Sequence, residues 1–314
     1  MADGQRWALG GNTDWMSGLH EVLRDVPLWN LAIPGTQNRA WISEFTYVYF
    51  LLDLCVLREQ CDLGIRFLDL RIAKKPAGGG KLFFAHGIYT LISVKEALNE
   101  LATWLDAHPK EIVIISCSHF ESLTDEDHIS LVEFIITLFA DKLCSSQETP
   151  TLRSCWSRGQ QVVVSYGNQQ MVLQHPELWA EIPYWYADSS DPEKVISYLE
   201  DQQHRGRPAG FYVSGLNLTE DALYVFLHPL ENMRKMTTKA LSELLSWASE
   251  QHPGPGAGGV NIVCCDFVGL GQFCSVVIGL NYKLGAVTLA PRPVCKTAAA
   301  STSDAISCCN GNQT

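Results

Sequence analysis

Apolar and polar positions along this chain fall into two alternating regimes. Short runs that are apolar at nearly every position recur at 26–33 (VPLWNLAI), 64–72 (GIRFLDLRI), 82–86 (LFFAH), 111–117 (EIVIISC), 161–165 (QVVVS), 183–186 (PYWY), 210–214 (GFYVS) and 260–267 (VNIVCCDF). Runs without a polar face predict parallel strands covered on both sides. Segments with helical spacing lie between them. Residues 94–107 put Leu98, Leu101 and Leu105 on one face, and 125–139 opens with three acidic residues after Thr124. Residues 191–203 carry Pro192 in the first turn, and 237–250 turn Leu241, Leu244, Leu245 and Trp247 inward. A last helix is predicted over 272–284. The link between the second and third runs, KKPAGGGK, has no helical pattern.

Eight strands with mostly helical crossovers predict an α/β fold, an irregular (β/α)8 TIM-type barrel in a single domain, irregular at its second unit. A doubly wound sheet is the competitor, but no GxGxxG or GxxxxGK[ST] loop follows the first strand. The barrel is assigned to 14–289, after a leader at 1–13. The small, polar, aperiodic stretch 290–314 reads as a disordered tail.

Charge and cysteine content narrow the function classes. With 23 Lys+Arg against 34 Asp+Glu, the formal net charge is −11, which argues against nucleic-acid binding and against polybasic attachment to anionic lipid. No 20-residue apolar span and no secretory signal is read. The eleven cysteines include no CxxC pair, and several lie in apolar runs, so a reduced, cytoplasmic chain is expected. Cys308 and Cys309 are acylation candidates, with an unmodified tail the favoured reading.

A barrel of this kind places its chemistry at the carboxyl ends of its strands. Those ends carry Gln37 and Asn38, Asp69 and Arg71, His86, Ser118 and His119, Ser165 and Tyr166, Asn217, and Asp266. Acidic, basic and imidazole groups at one mouth suit acid/base chemistry on an anionic substrate. Each has a plainer reading too: His86 as a core histidine, Asp69 and Arg71 as a structural ion pair, Asp266 as a helix cap. His119 reads as a surface histidine. The aromatic group Trp179, Tyr184, Trp185 and Tyr186 reads as a lipid-facing rim or as packing under a loop.

The runs DVPLWNLAIPGT, GIRFLDLRI and LFFAHGIYT, followed by HPKEIVIISCSHFESL, PTLRSCWSRGQQVVVSY, GLNLTEDALYVFLHP and QHPGPG, resemble the X domain of phosphatidylinositol-specific phospholipase C. Within that superfamily the chain is most similar to the PI-PLC X domain-containing proteins. The resemblance spans about 14–284, interrupted by a divergent segment between Gln37 and Leu57. It implies a phosphoric diester hydrolase working on phosphoinositide lipid without metal or cofactor, through transient contact with a membrane surface. It implies His86 as general acid, Arg71 on the phosphate, Asp69 as its polar neighbour, and Asp266 as the carboxylate that orients the general base. The family reads Pro-Gly-Ser/Thr-His-Asp after strand one, whereas this chain reads Pro34-Gly35-Thr36-Gln37-Asn38. Gln37 therefore replaces the base and Asn38 its neighbouring aspartate, and an amide does not accept a proton at neutral pH. Three outcomes are open: a weakened hydrolase, an inactive module that binds inositol phosphate or phosphoinositide, or a chain that folds poorly.

Overall fold

The computed structural model describes residues 11–37, 56–76, 79–86, 88–219, 233–266, 268–269 and 272–289, without the side chains of residues 56, 86, 88, 233–234 and 286–289. The leader at 1–10, Asn38 and the rest of the divergent segment to residue 55, and the tail from 290 with Cys308 and Cys309 lie outside the described residues.

In chain order the elements are β1 (Ile33–Gln37), α1 (Val56–Leu63), β2 (Phe67–Lys74), β3 (Leu82–His86), β4 (Ile88–Ser93), α2 (Val94–Ala107), β5 (Val113–Glu121), α3 (Asp125–Phe139), α4 (Leu152–Arg158), β6 (Val162–Tyr166), α5 (Gln169–Gln174), β7 (Leu178–Trp179), β8 (Tyr184–Trp185), α6 (Pro192–Arg205), β9 (Val213–Gly215), α7 (Met233–Glu250), β10 (Ile262–Cys265) and α8 (Phe273–Leu289). Eight of the strands form one parallel path, β7-β6-β5-β2-β1-β10-β9-β8, which curls into the expected irregular TIM-type barrel.

Several helix boundaries follow from their caps. Ser93 accepts a bond from the Glu96 N–H while Glu96 returns to the Ser93 N–H, and Thr124 with Asp127 repeats the device at α3. Both helices have the bounds expected from their periodicity.

Two strand assignments are corrected. The first strand is not 26–33: Leu28–Asn30 form a 3-10 turn entered from Pro27, and the strand begins at Ile33. The run 82–86 is a strand but not a barrel stave. It pairs antiparallel with β2 and with β4, as a hairpin on the outside of the path. A parallel return needs a crossover of about a dozen residues or more, which KKPAGGGK does not supply. The eighth stave is instead β7, two residues long, which has no visible pattern in the sequence.

Gly35 marks the tightest point of the barrel wall. A Cβ there would lie 2.5 Å from Cys264 Sγ and 3.0 Å from both Ile262 Cγ2 and Phe67 Cδ1. Glycine lets β10, β1 and β2 close up, and that closure fixes the position of Gln37 two residues later.

At the opposite end of the staves a buried ion pair ties four segments together. Arg66 and Glu111, both with fully buried side chains, are bonded by Nε at 3.0 Å and Nη2 at 2.7 Å to the same Oε2. Arg66 also donates to the carbonyls of Cys61, Ile65 and Thr13, and it lies over the Trp104 ring at 4.9 Å. Glu111 accepts from the N–H groups of Met16 and Ser17. Burial pushes the Glu111 carboxyl up from its usual range, and Arg66 pulls it back.

Two stability predictions follow. Glu111→Ala leaves Arg66 as a buried charge without its carboxylate, and should cost about 3–5 kcal/mol in denaturant unfolding; a loss below about 1 kcal/mol, the level of a surface pair, would contradict this. Gly35→Ala should cost about 1–3 kcal/mol by overpacking. Cys264→Ala in the same chain should recover part of that loss, and no recovery would show that the clash is not the cause.

Candidate functional site

Register and alternation assemble the site. The ladder sets Gln37 beside Asp69, Asp69 beside Ser116, and Arg71 beside Ser118. Side chains two apart on a strand share a face, so Asp69 with Arg71 and Ser116 with Ser118 point the same way. Together they wall one side of a cavity of about 340 Å³ at the carboxyl ends of the strands, with His119 at its edge and Glu181, Ile182, Tyr184 and Tyr186 opposite. That volume lies in the range of small-molecule sites, about 300–1,000 Å³.

Asp69 is the centre of the hydrogen bonding. It is 3% exposed. Ser118 Oγ donates to its Oδ1 at 2.7 Å, and the Gln37 amide hydrogen-bonds the same carboxyl group. Burial pushes the Asp69 carboxyl above its ordinary value, while Ser118, Arg71, His119 and Gln37, in that order, draw it back. With its amide nitrogen given to Asp69, buried Gln37 keeps its Oε1 without a hydrogen-bond partner among the described residues.

On the far side the hydrogen bonds form a chain. Tyr184 donates to Asn217 Oδ1 at 2.6 Å, and Asn217 Nδ2 donates to Asp266 Oδ1 at 2.8 Å. Burial holds the Tyr184 hydroxyl protonated well above its ordinary range, with Cys264, Asp69 and Asp266 adding to the effect. A Cβ at Gly215 would lie 2.6 Å from the Tyr184 ring and 3.1 Å from Asn217 Oδ1, so glycine makes room for this chain.

Of the residues singled out from the sequence, Gln37, Asp69 and Arg71 come together in the cavity. Asp266 does not line it; its buried carboxylate reaches the wall through Asn217 and Tyr184. His86 closes β3, where its backbone pairs with Ile88, and its side chain lies outside the described residues, as does Asn38. The aromatic group divides. Tyr184 and Tyr186 line the cavity, whereas Trp179 packs edge-on against Trp29 and Phe211, and Trp185 packs on Tyr212.

Ser118 and His119, strand-end residues singled out from the sequence, line the cavity as well, whereas Glu181 was missed. His119 is exposed, as expected of a surface histidine, yet a bulge after Ser118 sets it at the cavity edge: between the Arg71–Ser118 and Ala73–Glu121 pairs, β5 carries one more residue than β2, and His119 has φ +50°. Among the described residues no group of three or more His, Cys, Asp or Glu is placed to hold a metal ion, and no helix is long and apolar enough to cross a membrane.

No family model matches the chain. Full-length relatives do. PI-PLC X domain-containing protein 1 of Danio rerio is 43% identical over 298 residues, covering 85% of this chain and 96% of the relative. Its Homo sapiens counterpart is 43% identical over 301 residues, covering 87% and 93%. PI-PLC X domain-containing protein 3 of Danio rerio is 35% identical over 306 residues, covering 86% and 94%. Among solved structures, the phosphatidylinositol-specific phospholipase C of Listeria monocytogenes matches with a TM-score of 0.61 at 16% identity, covering 87% of this chain and 99% of its own. That of Staphylococcus aureus matches with a TM-score of 0.61 at 13% identity, covering 85% and 97%. At these identities the structures show a shared barrel fold. The strand-end residues, the barrel and the relatives agree: the chain belongs to the PI-PLC X domain-containing protein family.

Proposed function

We propose that this protein binds the phosphoinositol headgroup of a phosphoinositide lipid in the cavity between Arg71 and Tyr184, and cleaves its phosphodiester slowly, by metal-independent acid/base chemistry. The observation that carries this reading is the placement of Arg71 beside Asp69, Ser118 and Gln37 in one cavity of about 340 Å³ at the carboxyl ends of the strands. A planar guanidinium matches two phosphate oxygens and neutralises the charge that grows on them in the transition state. The Gln37 Oε1, without a hydrogen-bond partner among the described residues, and the Asn217-bound Tyr184 hydroxyl offer polar contacts for ring hydroxyls.

The resemblance supplies the remaining roles. A ring hydroxyl attacks the adjacent phosphorus, and His86 protonates the departing glycerol oxygen. Proximity makes this internal attack efficient. Calcium-dependent relatives place a metal where Arg71 stands, so the guanidinium takes over charge neutralisation and no metal is required. Asp266 orients the far wall through Asn217 and Tyr184. With Gln37 in the family's base position, the proton of the attacking hydroxyl has no acceptor there, a loss of about 10²–10⁴-fold in rate. A net charge of −11 gives no bulk attraction to an anionic surface, so contact with the cytoplasmic leaflet is local and transient.

Binding-module behaviour is the second reading, favoured by Gln37 itself. The two are separated by measuring myo-inositol 1-phosphate binding by calorimetry alongside cyclic inositol phosphate release from phosphatidylinositol vesicles. Binding with slow, chelator-insensitive release is expected. Arg71→Ala should weaken binding and lower release by about 10²–10³-fold; wild-type affinity in that variant would remove Arg71 from the phosphate.

Restoring the family pair with Gln37→His and Asn38→Asp should raise release by about 10²-fold or more. Unchanged binding with no gain in release would show that a missing base is not what limits the chain.

A further inference from the structure

The proton of the attacking hydroxyl has to go somewhere if the chain turns over at all. The cavity edge carries an imidazole, that of the exposed strand-end residue His119, to which the family pattern assigns no role. His119 stands next to Ser118, and Ser118 is paired with Arg71 across the β5–β2 ladder, so the ring sits beside the position argued for the phosphate. Its position has a structural cause. The β5 bulge and the left-handed backbone at His119 place this exposed residue at the cavity edge, beside Ser118. A non-glycine residue at φ +50° carries a conformational cost, and such costs gather where a side chain has to be aimed.

The hydrogen bonds settle which ring nitrogen is basic. His119 Nδ1 lies 2.9 Å from Ser118 Oγ. A hydroxyl has one hydrogen, and that of Ser118 goes to Asp69 Oδ1 at 2.7 Å. With Asp69 as a carboxylate, Ser118 can only accept from His119, so Nδ1 carries the ring proton and Nε2 keeps its lone pair. Asp69, Ser118 and His119 thus form an orienting chain for a base, with the carboxylate two hydrogen bonds from the imidazole. The same carboxyl group receives the Gln37 amide, which leaves the Gln37 carbonyl oxygen without a hydrogen-bond partner among the described residues.

We propose that His119 is the general base of this chain, a slower one, exposed at the cavity edge, than a histidine at position 37 would be. The inference rests on the proposed phosphodiester reading of the cavity. The ring hydroxyl oxygen forms the new bond to phosphorus as its proton passes to His119 Nε2. The bond from phosphorus to the glycerol oxygen breaks, and that oxygen takes a proton from the acid. The products are a cyclic phosphodiester and diacylglycerol; His119 then returns its proton to solvent, and the acid regains one. Other ionisable groups around the ring are Asp69, Arg71, Glu181, Tyr184 and Tyr186.

The test uses the full chain on vesicles of phosphatidylinositol in phosphatidylcholine. Cyclic inositol phosphate release is followed from about pH 5 to about pH 8, where histidine titrates, and myo-inositol 1-phosphate binding is measured in parallel. His119→Asn tolerates the left-handed backbone and keeps an N–H donor for Ser118, but has no basic nitrogen. It should lower release by about 10²-fold, abolish the fall in rate on the acid side, and leave headgroup binding unchanged. Adding Gln37→His to His119→Asn should restore release, which a purely structural role for His119 would not allow. Retained rate and acid-side limb in His119→Asn overturn the inference and leave the headgroup site standing. So does a wild-type chain that binds myo-inositol 1-phosphate without releasing product, and so does loss of both binding and release that Gln37→His fails to repair. A wild-type chain that neither binds nor releases overturns the proposed function itself.

Discussion

A carboxyl group buried inside a barrel has to be solvated by the protein, and Asp69 sets this requirement for the whole mouth. At 3% exposure it has little water, and the cost of its charge is visible in the raised carboxyl pKa. Four groups from three adjacent strands answer it: the Gln37 amide from β1, Arg71 from β2, and Ser118 and His119 from β5. Each is placed by strand register, so the closeness of β10, β1 and β2 at Gly35 is also a condition for the site's chemistry. The requirement explains why glutamine fits at position 37, since its amide is a donor to Asp69 whether or not the residue can take a proton.

The chain solves the same problem differently at the other end of the staves. Arg66 and Glu111 are as buried as Asp69, but their partners come from both backbone and side chain, and the cation and anion meet directly at 2.7 Å. A fully satisfied buried network rigidifies, whereas one with spare capacity is available to a ligand. Among the described residues, the upper network has that spare capacity in the Gln37 Oε1. Bottom and top of one barrel are thus specialised by how completely each buried charge is matched, as expected for a fold that keeps stability at one end and chemistry at the other.

Much of this was legible in the chain. The doubly apolar runs are a direct consequence of staves buried on both faces, and the Leu98–Leu101–Leu105 stripe gave α2 its bounds. Asp69 and Arg71 could be placed on one face because a strand has a period of two. Three features could not be read. β7 is two residues long, too short for any pattern to form. The hairpin nature of 82–86 depends on what the preceding loop can span; its lack of a helix was visible, but not the antiparallel pairing that follows. His119 is exposed, as a surface histidine should be, but its place at the cavity edge beside Ser118 depends on a bulge that inserts one residue. Bulges leave no signature in a Ser-His-Phe-Glu stretch, which has no glycine to mark the left-handed position.

The bulge also bears on how a barrel could change its base without losing its site. Strand-end positions are fixed in depth by register, so moving a functional group from β1 to β5 by simple substitution would place it at the wrong height or on the wrong face. An extra residue in β5 offers another route: with the bulge after Ser118, His119 lies exposed at the cavity edge, within hydrogen-bond distance of Ser118 Oγ. Ser118 then serves two neighbours with one hydroxyl, donating to Asp69 and accepting from His119, so the carboxylate that needs a donor and the imidazole that needs an acceptor are met by the same atom. Position 37 is thereby released from acid/base duty while its amide still solvates Asp69. A Gln37 that looks like a lost catalytic residue when strand one is read alone becomes, with the bulge included, one part of a network whose basic group lies two strands away.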